Sequence, residues 1–316
     1  MRVQKRKKTK KFPKYRLVRL ISVILAFSIL LSSSTPSGAS TKSHNKNMNI
    51  AQGYVGGGAV DFLNQGLQLI QVGRATEAIA YFQKATELEP NLAPAHYNLG
   101  LALRQAGQLQ PAANAFYRAT QVDPRFALAY ANLGGALLEG ANWQQARDYL
   151  QRAIEIEPKL GIAHYNMGLL KQQRGDCDNA ISSFKKAMEY SKNAPEPAYH
   201  IGVCYMQQGK LDRARDSFRR ATQINPNYTE AHYNIGSILF SQGKYKEALE
   251  SFRRSAETNT NYPNAYYAAG LVFMQQRQCA DAAQVLQYAQ DLFNRQGNPQ
   301  WANASQQMLQ QAQLCR

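Results

Sequence analysis

Apolar residues fall at helical spacing along most of this chain, in short amphipathic runs broken at regular intervals. Between Ala93 and Pro124, Tyr97, Leu99, Gly100 and Leu103 recur on one stripe, and Gly107 breaks the run. Ala112, Phe116 and Ala119 then place a second stripe at i, i+4, i+7. The small Gly100, Ala112 and Ala119 let two helices approach closely, and Phe116 fills the space between them. Pro124 has no amide hydrogen and cannot continue the second helix, so the chain turns there. The pattern predicts a helix–turn–helix.

The same pattern repeats. Gly66, Gly100, Gly134, Gly168, Gly202, Gly236 and Gly270 stand 34 residues apart without a slip. With glycine at about 7% of positions, six such coincidences have odds on the order of one in ten million, which decides for an internal repeat. Ala78, Ala112, Ala146, Ala180, Ala214, Ala248 and Ala282 keep phase twelve residues after each glycine. Phe82, Phe116, Leu150, Phe184, Phe218, Phe252 and Leu286 follow at sixteen. Pro90, Pro124, Pro158 and Pro226 close four units, while Lys192, Thr260 and Asn294 take that place in the others. The units run over 59–92, 93–126, 127–160, 161–194, 195–228, 229–262 and 263–296. Residues 297–316 follow as a Gln-rich helix, with Trp301, Met308 and Leu309 on its inner side, suited to cap the array.

This period and these positions resemble the tetratricopeptide repeat, over residues 59–296. The resemblance implies an all-α fold: a right-handed α-solenoid, or superhelix, of helix–turn–helix units with a C-terminal capping helix, whose first helices line a concave groove. Two departures stand out. The family's first tryptophan is replaced by His, Phe, Tyr or Ala, and the last unit has Arg277 in place of its turn glycine.

Given that groove, three rows on the first helices become candidates for binding. Asn64, Asn98, Asn132, Asn166 and Asn234 lie two residues before their glycine, with His200 interrupting the series. An amide both donates and accepts, so a row of them suits the backbone of an extended peptide. The row is similar to the asparagine ladder in the superhelix of the O-linked N-acetylglucosamine transferases, although this chain has no room for their catalytic domain. The other reading is an amide common in such repeats and merely solvated. Tyr97, Tyr165, Tyr199, Tyr233 and Tyr267 lie one residue earlier and suit either a groove or helix packing. Gln71, Gln105, Gln173, Gln207 and Gln275 recur at the end of the same helices. A basic row on the second helices (Lys84, Arg118, Arg152, Lys186, Arg220, Arg254) reads as a solvated face.

Charge changes the picture only at the N-terminus. The formal charge is +16, but residues 1–60 hold 12 Lys and Arg and no acid, and the rest carries 25 against 21. Nucleic acid is therefore not an expected partner. Ten basic residues between Arg2 and Arg19 precede twelve uncharged ones from Leu20 to Leu31, and Ser37-Gly38-Ala39 follows. That order predicts export, with 1–39 as a cleaved signal peptide or an uncleaved signal-anchor through residues 20–34. The destination is periplasmic, lumenal or secreted, with membrane contact only through 1–39. Residues 40–58 read as a flexible linker.

Nothing in the sequence pairs a nucleophile with a base, and no metal or cofactor motif occurs, so neither enzyme nor cofactor is expected. His96, His164 and His232 sit in alternate units, too far apart to share a metal. Cys177, Cys204, Cys279 and Cys315 suit staples 177–204 and 279–315 if the chain is exported, or four buried thiols in a reducing compartment. The expected function is a scaffold that binds an extended peptide or partner protein in its concave groove, in an exported or membrane-associated assembly. The alternatives are a non-catalytic recruiting or regulatory subunit of a separately encoded enzyme, and a membrane-anchored assembly factor.

Overall fold

The computed structural model describes residues 58–315. The expected export segment and all of the linker except Gly58 lie outside the described residues. Every regular element described is an α-helix. Hairpins form from α1 (Ala59–Gln71) and α2 (Ala75–Leu88), α3 (Ala93–Gln105) and α4 (Leu109–Val122), α5 (Ala127–Glu139) and α6 (Trp143–Ile156), α7 (Gly161–Gln173) and α8 (Cys177–Tyr190), and α9 (Glu196–Gln207) and α10 (Leu211–Ile224). They continue with α11 (Thr229–Ser241) and α12 (Tyr245–Thr258), α13 (Pro263–Gln275) and α14 (Cys279–Arg295), and a final α15 (Pro299–Leu314). This is an all-α solenoid of helical repeats. Two compact units divide it, one ending at Ile224 and the other starting at Asn225. No described helix is long and apolar enough to cross a membrane.

Each hairpin closes on its phased glycine. A methyl group at Gly100 would lie 2.6 Å from the Phe116 ring, and one at Gly134 2.5 Å from Leu150. Gly168, Gly202, Gly236 and Gly270 meet Phe184, Phe218, Phe252 and Leu286 in the same way. These rings and leucines are almost wholly buried, so the first helix rests directly on the large side chain of the second. The alanines twelve residues after each glycine are fully buried too, and keep the second contact equally close.

The turns inside the hairpins use the left-handed backbone. Gly107 has φ 75°, and bonds from Gly107 N to Arg104 O and from Gln108 N to Leu103 O satisfy the carbonyls at the end of α3. Arg277 and Ala141 hold the same place at φ 59° and 58°, where a side chain costs roughly 1–2 kcal/mol. Between hairpins, the three phased histidines act as latches. The Nε2 atoms of His96, His164 and His232 bond the carbonyls of Pro90, Pro158 and Pro226 at 2.8–2.9 Å, each six residues back. Two of the units without the closing proline turn at the same place as those with it. Asn259 Oδ1 accepts from Asn261 N at 3.0 Å after α12, and Ser191 sits against Gly161 after α8. In α14 no proline intervenes, and the helix reaches 17 residues where the earlier second helices have 14.

The last helix covers the array as expected. Trp301 meets Tyr267 edge-on at 5.5 Å and stacks on Phe293 at 6.1 Å. A disulfide joins Cys279 to Cys315 across 36 residues of sequence. The second expected staple is not formed. Cys177 and Cys204 are buried free thiols. They hydrogen-bond to each other, and Cys177 Sγ donates to Gln207 Oε1 at 2.8 Å. Burial raises both thiols above their ordinary pKa.

Gly100→Ala should destabilise the protein by about 1–3 kcal/mol, because the Phe116 ring has no room to yield; urea unfolding followed by circular dichroism measures it. Reducing Cys279–Cys315 should lower stability by about 3–4 kcal/mol, as expected for a loop of this length. Hydrogen exchange should show the loss concentrated in α14 and α15, and an unchanged exchange pattern there would contradict the staple.

Candidate functional site

The candidate site is the face of the first helices that carries the asparagine row. In the first hairpin no earlier helix among the described residues covers that face, and Asn64 is exposed. In later hairpins the neighbouring repeat covers the position. Asn98, Asn132, Asn166 and Asn234 are 6%, 6%, 2% and 2% exposed. Three of these amides are held by groups inside the protein. Asn98 Nδ2 donates to Pro94 O at 2.8 Å, one turn back in its own helix. Asn132 Nδ2 donates to Leu128 O at 3.0 Å and to the Tyr97 hydroxyl at 3.3 Å. Asn166 Nδ2 reaches across to Ala131 O at 3.0 Å, through a gap that exists because residue 135 is glycine. The expected open ladder is thus a mostly buried row in which Asn132 and Asn166 bond a neighbouring helix, Asn98 bonds its own, and Asn64 is exposed.

The tyrosine row resolves toward packing as well. Tyr97, Tyr199, Tyr233 and Tyr267 are buried, and Tyr165 is half-buried. Tyr97 lies 4.9 Å from Phe126 and 5.8 Å from Phe116. Tyr199 packs on Phe218 at 5.4 Å and Tyr233 on Phe252 at 5.7 Å. Burial pushes the phenols of Tyr97 and Tyr267 up to about 12 and raises Tyr165 further, so all stay neutral. Near Tyr165 lie the charges of Glu196, Arg104 and Glu139. Arg104 and Glu139 form an ion pair between the second and third hairpins, each about 30% exposed.

His200, which interrupts the row, is buried as well. Its Nδ1 pairs with Gln172 Oε1 at 2.9 Å, and its ring stacks on Phe184 at 5.4 Å with Tyr165 and Tyr199 edge-on. Burial lowers its pKa from 6.5 to about 4.

Solvent reaches the same stripe at the helix ends. Seven residues is two turns, so the positions five after the glycine share the asparagine face. Gln71, Gln105, Glu139, Gln173 and Gln207 stand there, and all are exposed. Sequence reasoning noted the glutamines but gave the binding role to the asparagines. Among the described residues no cluster of side chains is suited to hold a metal.

Comparison with known proteins agrees with this architecture. Models described as TPR repeat and tetratricopeptide repeat match residues 66–107 and 236–276, and 97–160. A model for subunit 3 of the anaphase-promoting complex, or cyclosome, matches residues 173–255. The fold and these matches agree on an array of helical repeats. Residues 66–160 and 236–276 therefore match models of the tetratricopeptide repeat, a repeat that typically mediates protein–protein interaction. No curated protein matches the sequence. Among solved structures, the APC/C hetero-tetramer Cut9-Hcn1 is similar with a TM-score of 0.63 at 19% identity, over 81% of this chain and 48% of that one. This chain therefore spans about half the length of that relative. A tetratricopeptide repeat protein from Parabacteroides merdae scores 0.59 at 18% identity, over 79% and 100%. PilF of Pseudomonas aeruginosa scores 0.56 at 20% identity, over 66% and 94%. At these identities the likeness concerns the fold.

The neutral His200 ring contributes stability that is full above the unfolded histidine pKa near 6.5 and is lost as pH falls toward about 4. The loss should reach about 3 kcal/mol. His200→Asn, which restores the residue of the neighbouring repeats, should flatten this part of the unfolding profile. Equal acid sensitivity in both proteins would contradict the assignment to His200.

Proposed function

We propose that the protein is a binding scaffold whose partner lies along the exposed amide row of the first helices. The carrying observation is the series Gln71, Gln105, Glu139, Gln173 and Gln207, which is exposed in every repeat of the first unit while the asparagine row beneath it is mostly buried. Packed helices stand about 10 Å apart. An extended chain advances about 3.3 Å per residue, so one amide meets roughly every third residue of such a partner. Each amide offers a donor and an acceptor to the partner's backbone, and Glu139 and Arg104 add charge at the centre. Asn64, exposed among the described residues, extends the row. The buried asparagines hold the repeats in register, and the likeness to the transferase ladder is narrowed to that position.

We also infer that all seven 34-residue segments are tetratricopeptide units, the departures at Lys192, Thr260, Asn294, Ala141 and Arg277 being local. The setting we propose is an exported or membrane-tethered assembly. The basic run, the apolar stretch after it and the Cys279–Cys315 disulfide support this reading, since such bonds persist in oxidising compartments.

A photoreactive residue placed at Gln105 or Gln173 in the full chain, expressed in its own cell, should cross-link to one segment of one partner. The same residue at Arg118, on a second helix, should not. Gln105→Ala with Gln173→Ala should weaken that complex about tenfold or more without changing stability. Asn132→Ala with Asn166→Ala should lower stability instead, because it removes bonds between helices. Equal cross-linking from Arg118 would overturn the assignment of the face.

A further inference from the structure

One junction between repeats breaks on both sides an apolar rule that the others keep on at least one side. Thirteen residues after the phased glycine stand Ile79, Ala113, Ile181, Leu249 and Ala283, but Arg147 in the third repeat and Arg215 in the fifth. Three residues after the glycine stand Leu69, Leu103, Leu137, Tyr205, Leu239 and Phe273, but Lys171 in the fourth repeat. In the periodic fold these two positions meet across a junction. Ile79 and Leu103, like Ala113 and Leu137, belong to one apolar cluster, and Ile181 and Tyr205 belong to another. At the junction of the third and fourth repeats the pair is Arg147 and Lys171. Two cations line the place where an aliphatic pair is the norm.

The space they border is a groove of about 850 Å³ between α6 and α8, floored by α7. Lys186 from α8 lines it as a third cation, and Met167 and Ile154 line it as apolar residues. Lys171 is half-buried, and its ammonium donates to Ser183 Oγ at 3.0 Å. Ser183 in turn donates to Asn179 O at 3.1 Å, so the hydroxyl is fixed as an acceptor. Burial lowers the Lys171 pKa, Asp176 raises it, and the nearby Lys186 lowers it again. The one carboxylate in the lining is Asp148, an exposed group 3.7 Å from Arg147 and also approached by Gln144. Three cations against one carboxylate leave the groove positive. An ammonium has three donors, and Lys171 uses one on a neutral hydroxyl.

We propose that this groove is an oxyanion site, in which a phosphate or phosphoryl group bridges Lys171, Lys186 and Arg147. Ammonium and guanidinium groups from three helices converge on it, which suits a tetrahedral dianion. The volume exceeds that of free phosphate, and Met167 and Ile154 offer room for the apolar part of a carrier. The site is distinct from the amide row and does not depend on it.

The test compares the full chain with Arg147→Ile/Lys171→Leu, which installs the residues of the other repeats, and with Lys186→Gln at an exposed position. Thermal unfolding and calorimetry at constant ionic strength are read with inorganic phosphate replacing chloride, and separately with phosphatidylcholine vesicles containing or lacking phosphatidic acid. The wild-type chain should bind phosphate saturably and unfold at a higher temperature in it. Lys186→Gln should weaken binding on the order of tenfold. The double variant should be more stable in chloride and show no saturable response. A response to phosphatidic acid that both variants lose, with none to free phosphate, would support the site and identify a lipid headgroup as the source. The same response to each anion in all three proteins would overturn the proposal, since it would reflect ion exclusion alone.

Discussion

The close approach of a glycine to a phenylalanine or leucine sixteen residues later is the contact on which the rest of the structure depends. It brings the two helices of a hairpin together around one large buried side chain, and the alanines on both sides keep the spacing. Once that distance is set, the neighbouring hairpin meets a surface of fixed shape. The asparagine amides, the histidine latches and the aromatic contacts all bridge gaps that this first contact defines.

This dependence explains what was legible in the sequence. The glycines are visible because nothing else fits against the ring, and the period follows from them. The hairpins, the turn at Gly107 and the capping role of Pro299–Leu314 followed directly. The asparagines were harder, because their exposure is decided by the preceding repeat and not by their own helix. Asn64 and Asn166 occupy the same phase, yet one faces water and the other donates to Ala131 in the preceding repeat. No local pattern distinguishes them. A signal did exist for the histidines, since His96, His164 and His232 each follow a proline by six residues. The Cys177–Cys204 pairing was correct as proximity, but the structure keeps two thiols there. Proximity follows from the repeat, whereas oxidation state depends on surroundings that the repeat does not encode.

Departures from the period carry different kinds of information. Arg277 and Ala141 replace glycine in left-handed turns, which costs stability and leaves the path of the chain unchanged. Lys171 and Arg147 replace aliphatic residues at a junction, which places charge where the fold has no use for it. A substitution that only costs stability and one that also introduces chemistry look alike in a list of mismatches. Their neighbours separate them: the turns at 141 and 277 are exposed, while Lys171 is half-buried beside a second cation.

The bonds between repeats also have a characteristic reach. Arg104 to Glu139, Asn132 to Tyr97 and Asn166 to Ala131 each span 35 residues, and the disulfide spans 36. Each joins a residue to its counterpart about one period away. A duplication or loss of one whole 34-residue segment within either compact unit would therefore keep the helices in register, although partners such as Glu139 and Gly135 have no equivalent in the other repeats. Unequal recombination in whole periods would thus preserve the helix–turn–helix pattern while changing which side chains meet between repeats, provided Cys279 and Cys315 stay one unit apart.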